Sequence, residues 1–245
     1  MLINCDLGEG YGPWQLADEA AIMPYIDQAN IAGGFHAGDP LTITRTLRLA
    51  HEHGVAIGAH PGYPDLVGFG RRSIPMNPEE LRASFLYQVG ALDALASSEG
   101  MRLSYVKPHG ALYNDMMRDE TIFSTLIQAL EDTYPDLSLM ILSTADNDRY
   151  GALAAQHHVQ LLFEFFADRT YTDVGTLLPR TQPHAVIHDT PRVLAGVRQI
   201  ITEGSVTTVG GHVLSLQADT ICVHGDNPQA VALTRAIRQL VDQLE

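Results

Sequence analysis

Cationic side chains are scarce in this chain: 15 lysines and arginines stand against 29 aspartates and glutamates, a formal net charge of −14 over 245 residues. Such a surface is a poor partner for nucleic acid, whose phosphates are held by Lys and Arg. Cysteine is scarcer still. Cys5 and Cys222 are too few for a disulfide framework, and both fall inside apolar runs, where a thiol packs as a small apolar group. No apolar run reaches the length of a membrane-spanning helix. The opening MLINCDLGEG lacks the basic start, apolar stretch and small-residue cleavage site of a secretory signal. A cytoplasmic protein, away from membranes, is therefore expected. Also missing are a linker, a low-complexity segment and a repeat of residue identity, so residues 1–245 read as one domain. There is no GxxxxGK[ST] phosphate loop.

What is present is an alternation of short apolar runs and helical patterns. The runs at 2–5, 29–35, 55–59, 103–106, 137–142, 159–166 and 220–224 are continuous rather than alternating, as expected of parallel strands covered on both faces. Between them lie helical patterns at 41–53, 78–98, 121–133, 147–157, 191–203 and 228–244. Asp39-Pro40 opens the first and Gly54 closes it. Asn77-Pro78 with Glu80 opens the second, and Asp226 or Asn227 is placed to cap the last. Repeated strand–helix units imply a parallel sheet with right-handed crossovers. Nearly every strand ends in a polar, glycine-rich cluster. An open sheet gathers ligand groups at one switch point, whereas a barrel gathers them around one mouth. The expectation is a seven-stranded parallel (β/α) barrel, TIM-like, with a hairpin inserted near 205–217.

The strand ends carry the chemistry. The first runs into Asn4-Cys5-Asp6-Leu7-Gly8-Glu9, two carboxylates that suit a cation or a proton, or else a glycine turn with a capping Asp. His36 follows Gly33-Gly34-Phe35, His60 follows Gly58-Ala59, and His109 follows Lys107-Pro108. Arg71 and Arg72, in Gly68-Phe69-Gly70-Arg71-Arg72, form either a guanidinium clamp for an anion or a solvated surface loop. Lys107 closes an apolar strand and needs a carboxylate partner or an anionic ligand. Glu164 lies in a very apolar run. Asp168 and Arg169 are a structural ion pair or substrate contacts, Arg180 sits on a further loop, and His224 ends the last strand. Each histidine alone reads as a satisfied structural residue. Four of eleven falling at the C-terminal ends of parallel strands read together as an active site. His51, His53, His157, His158 and His188 read as surface residues, and Trp14 as a packing residue.

These strings resemble the LamB/YcsF family. The resemblance rests on Asn4-Cys5-Asp6-Leu7-Gly8-Glu9, Gly34-Phe35-His36-Ala37-Gly38-Asp39, Gly58-Ala59-His60-Pro61-Gly62, Gly68-Phe69-Gly70-Arg71-Arg72, Lys107-Pro108-His109-Gly110-Ala111-Leu112-Tyr113, Phe166-Ala167-Asp168-Arg169 and Cys222-Val223-His224-Gly225-Asp226. It spans essentially the whole chain, in the family's order. It implies a seven-stranded barrel related to the glycoside hydrolase and polysaccharide deacetylase barrels. It also implies the A-type component of an ATP-dependent 5-oxoprolinase, which opens 5-oxoproline (pyroglutamate) to glutamate with partner subunits B and C. Gly33 stands where the family usually has cysteine, and Val174 where it usually has an acid.

On that reading Asp6, His36, His60, His109 and His224 are the catalytic candidates. Arg71, Arg72, Lys107, Asp168 and Arg169 are the substrate-binding candidates, and Asp6, His36 and His60 are a candidate set for a divalent metal. ATP is expected to be bound largely by the partner subunits, because the phosphate loop is missing. Two other readings fit the same residues. One is a stand-alone metal-dependent deacetylase or amidohydrolase, which would turn over without ATP. The other is a non-catalytic lactam-binding subunit.

Overall fold

The computed structural model describes residues 1–225 and 229–244, so Asp226, Asn227 and Pro228, read as the cap and start of the last helix, lie outside the described residues. Seven parallel strands close into a barrel in the order β1 (Leu2–Leu7), β2 (Gln28–Ala32), β3 (Ala56–His60), β4 (Leu103–Val106), β5 (Ser138–Leu142), β6 (Leu161–Phe166) and β9 (Thr220–His224), with β9 pairing back onto β1. Helices α1 (Glu19–Ile22), α2 (Pro40–His53), α3 (Pro78–Ser98), α4 (Gly110–Met116), α5 (Glu120–Thr133), α6 (Asn147–Ala155), α7 (Thr190–Glu203) and α8 (Ala230–Leu244) lie in the crossovers. The short α1 and α4 have no counterpart among the helices expected from periodicity. Each is too brief to show a repeat of apolar spacing. Between α7 and β9 the chain makes an antiparallel hairpin, β7 (Ser205–Thr207) with β8 (Val213–Ser215). Among the described residues no helix is long and apolar enough to cross a membrane.

Local chemistry sets the boundaries. β2 stops three residues earlier than its apolar run suggests, because Gly34 takes φ +87 and turns the chain out of the sheet. The Asp39 side chain accepts from the backbone N–H groups of Leu41 and Thr42, capping α2, and Gly54 ends that helix in the left-handed conformation. A full capping box between Asn77 and Glu80 opens α3. Trp14 does not pack as expected. It pairs by backbone with Tyr11 and is 69% exposed.

Alternate residues of the strands face outward under the helices. Ile3, Cys5 and Leu7 of β1 join one continuous apolar core with residues such as Leu47, Phe85 and Leu126 of α2, α3 and α5. The opposite face fills the barrel and is polar. Asn4 donates to Thr220 Oγ1, Asn30 to Asn4 Oδ1, and the Tyr105 hydroxyl to Asn30 Oδ1. These side chains are buried and answer one another, as buried polar groups must. Gly58 makes room for Tyr105, since a Cβ there would collide with the tyrosine ring. Gly58→Ala is expected to destabilise the protein by about 1–3 kcal/mol through overpacking. Denaturant unfolding measures this, and a stability loss well below that range would show that the ring is not wedged there.

Candidate functional site

The register of the sheet decides which strand ends meet. Asp6 on β1 is level with Asn30 on β2 and with His224 on β9, and Ala32 on β2 is level with His60 on β3. Chain continuing past β2 and β4 brings His36 and His109 to the same place. The imidazoles of His36 and His109 stack with centroids 3.7 Å apart and planes within 4°, and His60 stands edge-on to both. His60 Nε2 lies 3.4 Å from Asp6 Oδ2 and 2.9 Å from His109 Nδ1. Glu9 Oε1 is 3.5 Å from both His36 Nε2 and His109 Nδ1. Asp6, His36, His60 and His109 thus share one environment at the C-terminal end of the barrel, as parallel strands in a closed sheet dictate.

Tight glycine contacts fix this packing. A Cβ on Gly62 would lie 2.9 Å from His36 Nδ1, and one on Gly70 would lie 2.8 Å from the His109 ring. At Gly33 a Cβ would meet Gln88, whose side-chain amide pairs with both backbone groups of Gly62. A side chain at position 33 would have to displace this glutamine.

Lys107 is buried and fully engaged. Its Nζ lies 3.0 Å from Asp6 Oδ1, 3.0 Å from Glu164 Oε2, 3.2 Å from Asn4 Oδ1 and 3.2 Å from Cys222 Sγ. Burial works to strip its proton, but the Asp6 and Glu164 carboxylates and the Cys222 sulfur outweigh burial and hold the amine well above its ordinary range. Burial likewise works to neutralise Asp6. The neighbouring His60 imidazole and Lys107 ammonium overcome it and keep the carboxyl well below the usual carboxylate range. Burial pushes His36 and His109 well below the ordinary imidazole value, so both are neutral near pH 7.

A second group sits across the mouth. His224 Nδ1 is within 2.8–2.9 Å of both Asp168 oxygens, and its Nε2 is 2.9 Å from the Arg180 guanidinium. A guanidinium only donates, so Nε2 accepts and Nδ1 carries the proton that Asp168 takes up as a hydrogen bond. His224 thereby links Asp168 to Arg180. Arg169 donates to the carbonyls of Ala185 and Leu178 and lines the mouth from a nearly buried position.

The two groups enclose a cleft of about 360 Å³, lined among others by Asp6, Glu9, His60, Lys107, His109, Arg71, Arg169, Arg180 and His224. Arg72 is not among its walls. Its guanidinium turns outward to pair with Asp65, which also accepts from the Gly68 N–H, so the adjacent arginines divide between cleft and loop support. Val174, at the position where an acid was expected, is 77% exposed, and Asp173 binds Thr208 and Gly210 of the hairpin rather than the cleft.

Sequence reasoning offered Glu9 only as one of two strand-end carboxylates for a cation or a proton, and assigned no role to Asn30, Glu164 or Arg180. Asn30 Nδ2 donates to Asp6 Oδ1 at 2.7 Å, and Glu164 shares the Lys107 ammonium with Asp6. The usable signal was a charged or amide side chain inside an otherwise apolar strand, since burial there demands a partner.

A Vibrio cholerae protein named as the A component of 5-oxoprolinase is 53% identical to this chain over 241 residues, covering 98% of this chain and 97% of that protein. A Pseudomonas putida protein that bears the same name with the suffix 2 is 51% identical over 245 residues, covering 100% and 95%. The crystal structure of a lactam utilization protein from Thermus thermophilus superposes with a TM-score of 0.91 at 39% identity, covering 99% of this chain and 96% of that one. The family model described as the LamB/YcsF family matches residues 1–245, and the chain belongs to that family.

Proposed function

We propose that this chain is the lactam-opening component of an ATP-dependent 5-oxoprolinase, acting in the cytoplasm with two partner subunits of the B and C type. The observation that carries the reading is the convergence of Asp6, His60 and His109 on a cleft rimmed by Arg71 and Arg180 in a chain of net charge −14. The names of its close relatives point to the same substrate. The cleft suits a small anion held by guanidinium groups above a proton-handling floor. Two buried thiols that form no disulfide fit a reducing compartment.

A five-membered lactam is a resonance-stabilised amide. Transfer of the ATP γ-phosphoryl group to its oxygen makes the ring carbon strongly electrophilic. Water then adds to that carbon and gives its proton to Asp6 at Oδ2, the oxygen beside His60. The C–N bond breaks, the nitrogen takes up a proton to become the amine, and an acyl phosphate remains. A second water releases phosphate and leaves glutamate. Arg71 and Arg180 bind the anionic groups, and Lys107 holds the ionised Asp6 in place. The phosphoryl transfer belongs to the partners, because this chain has no phosphate loop.

The test is release of glutamate from 5-oxoproline and ATP by the purified chain with and without its partners. Release only in the complete set is expected. No release in the complete set would refute the reading, and rapid ATP-independent turnover by the chain alone would establish the amidohydrolase alternative. Within the complete set, Arg71→Ala is expected to raise KM for 5-oxoproline roughly 10–100-fold by removing a charged hydrogen-bond donor. Arg72→Ala loses only an exposed ion pair and should raise KM by no more than about threefold. Equal effects of the two variants would mean that Arg71 does not contact the substrate.

A further inference from the structure

At the floor of the cleft two imidazoles confront each other across a short contact. His60 Nδ1 lies 2.7 Å from the Lys107 carbonyl, and His109 Nε2 lies 2.8 Å from the Phe69 carbonyl. A carbonyl only accepts, so in each ring that nitrogen carries a proton. The remaining nitrogens, His60 Nε2 and His109 Nδ1, face each other at 2.9 Å. Two ring nitrogens at that distance need a cation between them, a proton or a metal ion.

The surroundings extend the same pattern. Glu9 Oε1 stands 3.5 Å from His109 Nδ1 and 3.5 Å from His36 Nε2. The stacked rings of His36 and His109 thus bring a nitrogen each toward one carboxylate oxygen. His36 is 1% exposed, and among the described residues neither of its ring nitrogens has a hydrogen-bond partner. A buried imidazole with both nitrogens unanswered is costly, and in a native protein it points to a ligand. One carboxylate oxygen and three imidazole nitrogens lie within 4.8 Å of one another.

We propose that Glu9, His36, His60 and His109 together bind one divalent transition-metal ion, with Zn²⁺ the best match. Three imidazole nitrogens and one carboxylate oxygen suit zinc in both ligand type and number. The backbone carbonyls of Lys107 and Phe69 orient His60 and His109 as the outer contacts of metal ligands do. Asp6, expected from the sequence to be a ligand with His36 and His60, is not in this set. Its Oδ2 lies 3.4 Å from His60 Nε2, but the carboxylate is held at Oδ1 by Asn30 and Lys107. A second grouping of potential donors, Asp6 with Cys222 and His224, carries no metal, because the Lys107 ammonium lies 3.0 Å from Asp6 Oδ1 and 3.2 Å from Cys222 Sγ and supplies the positive charge there. A zinc ion at the Glu9 site would polarise an oxygen bound to it and lower the pKa of a bound water. For that use the inference rests on the reading of the cleft as the reaction site, whereas its test is of binding alone.

The full chain, stripped with a chelator and dialysed, is titrated with Zn²⁺ by calorimetry near neutral pH, and with Co²⁺ by visible absorption. One ion per chain and a Co²⁺ spectrum of low-coordinate nitrogen and oxygen ligation are expected. His36→Gln and Glu9→Gln should each weaken Zn²⁺ binding by about 100-fold or more, beyond the range typical of outer-contact changes. His157→Gln, away from the cleft, should not alter it. Circular dichroism checks that each variant is folded, and Glu9→Gln serves if His36→Gln is not. Absence of stoichiometric zinc would overturn the proposal and leave a proton shared between His60 and His109 as the bridging cation. Undiminished affinity in a folded Glu9→Gln variant would overturn it equally. Neither result bears on whether the complete set of subunits opens 5-oxoproline.

Discussion

Lys107→Met should abolish glutamate release by the reconstituted enzyme and also weaken the fold by about 3–5 kcal/mol. The second effect follows from where the ammonium sits. It is 2% exposed, between Asp6, which is 11% exposed, and Glu164, which is completely buried. Methionine matches the length of the stem but leaves Glu164 as an unpaired charge in the barrel. Breaking one side of a buried pair costs more than the pair itself contributes, because the surviving ion keeps its desolvation penalty. The double variant Lys107→Met with Glu164→Gln removes both charges and should recover most of the lost stability. It should not recover turnover, since Asp6 would still lack the cation that keeps it ionised and in place. Urea unfolding of the single and double variants, alongside glutamate release, separates the two roles. Normal kinetics in the folded double variant would remove Lys107 from the mechanism. Equal stability of single and double variants would show that Glu164 is not its structural partner.

Asp6→Asn should lower kcat by about 10²–10⁴-fold, the usual contribution of a positioned proton acceptor. Stability should change much less than in Lys107→Met. Asparagine keeps an oxygen to accept from Asn30, and Lys107 retains Glu164. What disappears is the negative charge beside His60, whose Nε2 lies 3.4 Å from Asp6 Oδ2. If Asp6 takes the proton of the attacking water, the loss falls on kcat and leaves KM for 5-oxoproline nearly unchanged, because substrate anions are held by Arg71 and Arg180. Steady-state kinetics of the complete set of subunits reads this split directly. A rise in KM with kcat preserved would instead make Asp6 a binding residue.

The barrel and the convergence of its strand-end histidines were legible in the sequence for the same reason. Apolar runs of four to eight residues punctuated by glycine, proline and histidine mark the ends of buried parallel strands, and closure places those ends on one face. His36, His60 and His109 were therefore assigned to one mouth without knowledge of any distance, and they meet there. Adjacent residues with the same chemistry were not separable in this way. Nothing local distinguishes Arg71 from Arg72, yet one faces the cleft and the other turns to Asp65. Trp14 gave no local sign that it would be exposed.

The pairings that set charge were likewise beyond the sequence. Glu164 is 57 residues from Lys107, as the numbering gives directly, and lies two strands away around the barrel. That one oxygen of Asp6 meets Asn30 and Lys107 while the other faces His60 follows from three strands brought level. The sequence by itself determined the strand–helix order, the barrel and the set of chemically able residues, because hydrophobic periodicity and turn residues act locally. Only the tertiary structure decided which of those residues touch. Register, side-chain direction and the competition of several donors for one oxygen arise when distant strands are brought level, and no stretch of chain contains them alone.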